Sequence, residues 1–148
     1  MAYTTVEKVR IAAKNLEIHG GKLSTMLESE FNQILDEADQ IINSVLSSVY
    51  YVPLRQITRN STTKYPDPIP YIATRIAAAL GVRSAYARID PQVSENADAH
   101  FKDALRELND IVAYGRRLEG QDLKYPNSFV NPYSAPLMPK NNNNTGVQ

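Results

Sequence analysis

The stretch TMLESEFNQILDEADQIINSVLSSV, residues 25–49, decides the fold. Leu27, Phe31, Ile34, Leu35, Ala38, Ile41, Ile42, Val45, Leu46 and Val49 recur at steps of three and four. At about 100° per residue they stay on one side of a helical cylinder. Thr25 and Glu28 have the spacing of a capping box at its start. The pattern predicts a helix over about residues 26–49, roughly 36 Å long at 1.5 Å per residue. A one-sided helix of that length must be covered by others. The class that follows is all-α: a small antiparallel helical bundle of about four helices with an extended C-terminal tail.

The flanks supply the other helices. Thr4 and Glu7 offer a second capping box, and VEKVRIAAKN runs from there toward the Gly20-Gly21 break as a short helix that caps the bundle. On the other side YYVPL ends the long helix, because Pro53 disfavours helical geometry at Val52. RQITRNSTTKYPDPIP reads as a polar loop. Pro70 then serves as a first helical residue for a third helix over about 71–88, with Ile69, Ile72, Ala73, Ile76, Ala77 and Leu80 facing inward. Its alanines and Gly81 permit close approach of a neighbour and leave room for a kink. Asp90-Pro91 reads as the next break. The fourth helix is expected from near Ser94 to about Glu119, on a stripe of Ala97, Phe101, Ala104, Leu105, Leu108, Ile111, Val112 and Leu118, with Gly120 as its cap.

The chain changes character after Leu123. Residues 124–148 hold four prolines, six asparagines and two charges, both lysine, and lose all periodicity. The division is a helical domain over 1–123 and a Pro/Asn-rich arm over 124–148. Tyr125, Phe129, Tyr133 and Leu137 are spaced by fours, while Pro126, Pro132 and Pro136 forbid a regular helix through them. A stiff, nearly uncharged strand carrying bulky anchors suits docking on another surface.

Composition narrows the chemistry. The 148 residues carry 16 Lys and Arg against 16 Asp and Glu, a net charge of zero, where a dedicated nucleic-acid binder shows a basic excess. With no cysteine, disulfides, thiolate metal sites and cysteine nucleophiles are excluded. The two histidines, His19 and His100, have no second ligand at helical spacing. No phosphate-cradling glycine loop, zinc pair or nucleophile elbow is found, so neither enzyme activity nor a cofactor is expected. The N-terminus lacks the apolar core of a secretory signal, and IPYIATRIAAALGV is broken by Arg75, so a soluble, unexported protein with no membrane partner is expected. The Asn60-Ser61-Thr62 sequon is accordingly read as chance.

Charge distribution says more than its total. Residues 23–54 contain Glu28, Glu30, Asp36, Glu37 and Asp39 and no base. Residues 55–88 contain Arg55, Arg59, Lys64, Arg75, Arg83 and Arg88 against one acid, Asp67. Two accounts fit: the segments pair within one bundle, or acidic and basic flanks of successive subunits meet head-to-tail in a ring. On the second account Asp36, Glu37 and Asp39 face Arg55, Arg59, Arg75, Arg83 and Arg88 of a neighbour.

Several pieces together resemble one family, the small helical head–tail connector (adaptor, or head-completion) proteins of tailed bacteriophages. MAYTTVEKVR is similar to its opening, EADQIINSVLSSVYYVPL to its long helix running into a Tyr-x-x-Pro-Leu turn, IPYIATRIAAALGVRSAYA to its next helix, and HFKDALRELNDIVAYGRRL to its last. The likeness covers about residues 1–120. It implies a structural virion protein that forms a homo-oligomeric ring, commonly of twelve copies, in the neck between the portal and the stopper or tail protein. Such a ring extends the channel for passing genomic DNA without sequence-specific contact. It also implies synthesis in the bacterial host cytoplasm and a C-terminal arm reaching the portal, which assigns portal contact to Tyr125, Phe129, Tyr133 and Leu137. The other reading is an intracellular helical protein-binding or regulatory module whose tail is a docking peptide.

Overall fold

A computed structural model describes residues 2–17 and 23–125. In chain order they form α1 (Val6–Leu16), a 3₁₀ turn (Leu23–Thr25), α2 (Glu28–Leu46), β1 (Ile57–Arg59), β2 (Thr62–Lys64), α3 (Ile69–Tyr86) and α4 (Pro91–Ala113). The protein is mostly α with bundle-like packing.

The layout follows from α3. Every residue from Ile76 to Val82 is buried, as are Ile69, Ile72, Ala73 and Tyr86, so the helix is apolar around most of its circumference. Such a helix has no face to give to water. It lies at the centre, packed against α1, α2 and α4. Alanines and Gly81 let neighbours come close. A Cβ at Gly81 would meet Leu23 Cδ2 at 3.0 Å and Ile34 Cδ1 at 3.3 Å, so the glycine admits the 3₁₀ turn and α2 together. The helix runs through Gly81 without interruption.

α3 and α4 form a helical hairpin. Arg83 pairs with Asp98 at 3.0 Å and Arg75 with Glu107 at 2.6 Å. Stepping back along α3 corresponds to stepping forward along α4, as antiparallel neighbours require. The hairpin is tight because Asp90-Pro91 starts α4 where the sequence suggested only a break. The Asp90 carboxylate accepts from the Gln92 and Val93 N–H groups at 3.2 and 3.4 Å, with Pro91 at the helix's first position.

Other helix ends differ from expectation for local reasons. α1 is capped by Thr5, whose hydroxyl accepts from the Lys8 N–H, while Thr4 turns inward to the Thr74 hydroxyl at 2.5 Å. Thr74 spends its own proton on the Pro70 carbonyl, so Thr4 is the donor of that pair. At the start of α2, Glu30 reaches back to the Leu27 N–H at 2.8 Å, displacing the expected Thr25–Glu28 box. α2 stops at Leu46. The Ser47 and Ser48 hydroxyls donate to the Ser44 and Val45 carbonyls and compete with further helical turns. α4 ends at Ala113, six residues before the expected Glu119, and Gly115 takes a left-handed φ of 71° just beyond.

The expected polar loop holds a small antiparallel hairpin, with Arg59 opposite Thr62 and Ile57 opposite Lys64. Asn60 and Ser61 both have positive φ, 47° and 65°, the two-residue turn that matches strand twist. Its strands are β-branched (Ile57, Thr58, Thr62, Thr63), a signal obscured by the surrounding prolines. Gly120 is no helix cap: at φ 68° it lies against the hairpin, where a Cβ would stand 2.5 Å from Ile57 Cγ2.

Phe101, read as core, is only partly buried and lies beneath the Arg83 guanidinium at 4.9 Å. Phe31 is fully buried. Phe31→Ala is therefore expected to cost about 3–5 kcal/mol in urea unfolding, the range for a core phenylalanine, and Phe101→Ala clearly less. Equal costs would contradict this packing.

Candidate functional site

The segment joining α2 to the hairpin, residues 47–56, has little regular structure of its own, so its backbone groups must find partners elsewhere. Tyr3 supplies one, to the Leu54 N–H, the segment after α4 supplies others, and Tyr50 ties that segment in. Tyr50 is 1% exposed; its hydroxyl donates to the Arg116 carbonyl at 3.1 Å and accepts from the Leu118 N–H at 3.0 Å. Tyr3 is also buried. Its hydroxyl donates to Asn43 Oδ1 on α2 and accepts from the Leu54 N–H at 2.9 Å, and its own N–H donates to Asp39 Oδ1 at 3.1 Å. The Tyr3 ring stands edge-on to Tyr65 at 4.8 Å. One phenol thus ties the N-terminal segment to α2 and the turn, and the other ties the turn to the segment after α4.

That later segment runs back along the turn. Tyr50 and Leu123 form an antiparallel bridge, and the Lys124 N–H donates to the Val49 carbonyl at 2.8 Å. Gln121 and Arg55 exchange two hydrogen bonds, the Arg55 N–H to Gln121 Oε1 at 2.8 Å and Gln121 Nε2 to the Arg55 carbonyl at 2.7 Å. Arg55 pairs with Asp122, Arg59 with Glu119, and Lys124 lies over Tyr51. The root of the C-terminal arm is thereby fixed to the turn at the end of α2. Residues 116–118, expected inside the fourth helix, belong to this return path; Leu118 is buried by the loop route instead.

The residues singled out by charge are placed apart. Asp36 and Glu37 are exposed on α2 with no ion pair among the described residues. Asp39 is half-buried and engaged by the Tyr3 N–H. The partners of Arg55, Arg59, Arg75 and Arg83 are acids of residues 98–122, and Arg88 is exposed without an ion pair among the described residues. The expected pairing of segment 23–54 with segment 55–88 inside one subunit is not what forms. The bases of α3 that pair are taken by α4, and those before β1 and on it by the return segment.

Of the arm anchors, Tyr125 is 64% exposed, and Phe129, Tyr133 and Leu137 lie outside the described residues, as does His19. His100 is exposed on α4. Among the described residues no cluster of His, Asp and Glu could hold a metal ion, and no helix is long and apolar enough to cross a membrane. Missed by sequence reasoning is Tyr71, exposed on α3 beside three surface grooves. A single tyrosine off the apolar stripe carries no periodic signal. Comparison with known protein families, curated proteins and solved structures finds no match.

The clamp has a pH signature. Burial raises the phenols of Tyr3, Tyr50 and Tyr65 above their ordinary value of 10.0. The unfolded chain then ionises first, and stability falls as pH rises through and above 10. Burial also raises the Asp39 carboxyl above 3.8, outweighing the Tyr3 N–H, which acts the other way. Stability from that group is present at acid pH and lost as pH climbs from 3.8 through the raised value. Asp39→Asn is expected to flatten that acid-side slope in unfolding curves. Tyr50→Phe, which strands the Leu118 N–H and the Arg116 carbonyl, is expected to cost about 1–3 kcal/mol near neutrality. It should also reduce the alkaline loss. Unchanged stability and pH dependence in both variants would show that these groups are not held as described.

Proposed function

We propose that the protein is a structural connector of a tailed bacteriophage virion, forming a ring, commonly of twelve copies, between the portal and the stopper or tail protein and lining the path of the genomic DNA. The observation that carries the reading is where the arm begins. The turn after α2, Tyr50 to Leu54, is one of the four ordered pieces in which the chain resembles the connector family, and the arm leaves the body beside it, through the Tyr50–Leu123 bridge. A fixed root lets an arm with anchors at Tyr125, Phe129, Tyr133 and Leu137 reach a partner from a defined position. Repetition around a ring multiplies weak contacts through effective concentration. The reading involves no catalysis and no cofactor, and it places the protein in the virion neck after synthesis in the host cytoplasm.

The ring interface draws on charges that have no ion-pair partner among the described residues. Asp36 and Glu37 present carboxylates on α2, and Arg88 presents a guanidinium after α3. In this reading they meet across neighbouring subunits, supported by the exposed Arg55 and Arg59, whose pairs are on the surface and readily exchanged. Arg75 and Arg83 contribute through the α3–α4 surface that they brace. Asp39 takes part only indirectly, by holding Tyr3.

The test is assembly. Particles made without the protein are expected to lose DNA retention and tail attachment. Asp36→Lys with Glu37→Lys should stay folded, since exposed charge changes stay within about 0.5 kcal/mol each. The same double variant should fail to form portal-bound rings, with Arg88→Glu in the neighbouring copy restoring mixed rings. Tailed, DNA-filled particles produced without the protein would overturn the connector reading. Normal rings from the double variant would overturn the interface.

A further inference from the structure

The β1–β2 hairpin stands off the bundle. Among the described residues its strands contact each other and no helix. Every residue from Thr58 to Lys64 is exposed. Its composition sets it apart as well: residues 55–64, RQITRNSTTK, hold Arg55, Arg59 and Lys64, no acid, and Ile57 as the one apolar side chain. All the others end in a hydroxyl, an amide, an ammonium or a guanidinium. A two-stranded hairpin with no apolar face of its own is marginal by itself, and the return segment after α4 holds this one.

That segment brings further bases to the same side. Residues opposite each other in the ladder share a face, so Ile57, Arg59, Thr62 and Lys64 point one way. This is the face the return segment meets: Gly120 lies against Ile57, and Glu119 pairs with Arg59. Next to it Arg116 and Arg117 are exposed with no ion pair among the described residues, and Lys124 lies over the Tyr51 ring. Four acids oppose these six bases. Asp67, Glu119 and Asp122 are held in exposed pairs with Lys64, Arg59 and Arg55, and Asp110 lines a groove with Arg116. Pairs this exposed contribute little and exchange readily for another anion. A chain that is neutral in sum thus gathers a positive excess on one surface, from segments far apart in sequence.

We propose that the hairpin and the return segment form a surface for duplex nucleic acid, bound through its phosphates without sequence preference and independently of the connector reading. Ser, Thr and Asn donate to phosphate oxygens as Arg and Lys do, and residues 58–64 consist of these five residue types alone. A two-stranded ribbon is also of a size that the major groove, about 12 Å wide, admits. The centre of a protein–protein interface is depleted of charge, whereas nucleic-acid interfaces are polar and positive, as this surface is. The ribbon carries no aromatic ring on which an unpaired base could stack, which favours duplex over single strand.

The test uses the full-length protein and a fluorescent mixed-sequence DNA duplex of about 20 base pairs, titrated at several salt concentrations from about 50 mM upward. Binding is expected, weakening with salt by about 0.9 log units per tenfold salt for each phosphate neutralised. Arg116→Ser with Arg117→Ser keeps the carbonyl that Tyr50 uses. It should weaken binding at least about tenfold at low salt and flatten the salt slope by about 1.8, and Lys64→Ser should flatten it by about 0.9. Lys8→Ser with Lys14→Ser removes the same charge from exposed sites on α1. It should change affinity less than about twofold, since those cations meet no phosphate. Arg59 is left unaltered, because the connector reading places it at the ring interface. Amide shifts of the unaltered protein on adding duplex should fall on residues 58–64, 116 and 117, a readout that needs no variant to fold. Absence of binding at the lowest salt overturns the proposal, as do shifts centred elsewhere or an equal loss in the α1 variant. Tighter binding of a single strand of the same length overturns the duplex assignment. Equally tight binding of poly-glutamate assigns the surface to an acidic protein face and overturns the nucleic-acid one. Particle assembly, which tests the connector reading, is read separately from all of these.

Discussion

Two buried phenol hydroxyls carry the part of the structure that regular helix cannot. Tyr50 reaches the Arg116 carbonyl and the Leu118 N–H, and Tyr3 reaches Asn43 and the Leu54 N–H. Each joins segments distant in sequence, and each satisfies backbone groups that would otherwise be stranded inside the protein. A hydroxyl suits this work because it donates and accepts at one point. The turn between them is the meeting place of α2, the hairpin and the return segment. Removing either hydroxyl leaves a buried donor unpaired, which costs more than the net worth of an ordinary hydrogen bond.

The helical layer rests on a different constraint. α3 is apolar nearly all round and can be stable only when surrounded. Its neighbours are therefore required as cover, and their own faces need be apolar on one side only. The result is a division of labour: burial against α3 holds the helices together, and the tyrosine clamp fixes the turn after α2 and the segment returning from α4. The arm root belongs to the second part, and so does any function that depends on where the arm begins.

The helices were legible because apolar spacing follows burial within them; Leu27, on the same stripe but at the N-cap of α2, is exposed. Phe31, Leu35, Ala38, Ile42 and Leu46 all lie on the predicted stripe and all are buried. Helix ends were less legible, since they turn on competing hydrogen bonds of single side chains: Ser47 and Ser48 shorten α2, and Asp90 starts α4 early. The hairpin escaped because Asn60-Ser61 lacks the glycine that marks such turns. Charge sums identified acidic and basic segments but not partners, as Arg83–Asp98 and Arg75–Glu107 depend on the α3–α4 register. Tyr3 and Asn43 are 40 residues apart, and no local pattern announces such a contact. Tyr71 shows the same limit, for a groove is made by three helices at once.

The connector reading needs a rigid root for the arm, so the tyrosine clamp is the claim to test most directly. Native-state hydrogen exchange at the Leu54 and Leu118 amides does so. Both amides are expected to exchange only through global unfolding, with the same free energy as the Ile76 and Leu108 amides of the helical core. In Tyr50→Phe, Leu118 should exchange at least about tenfold faster while Ile76 keeps its protection relative to global stability. Fast exchange of Leu118 in the unaltered protein, at the rate of an exposed loop, would contradict the account.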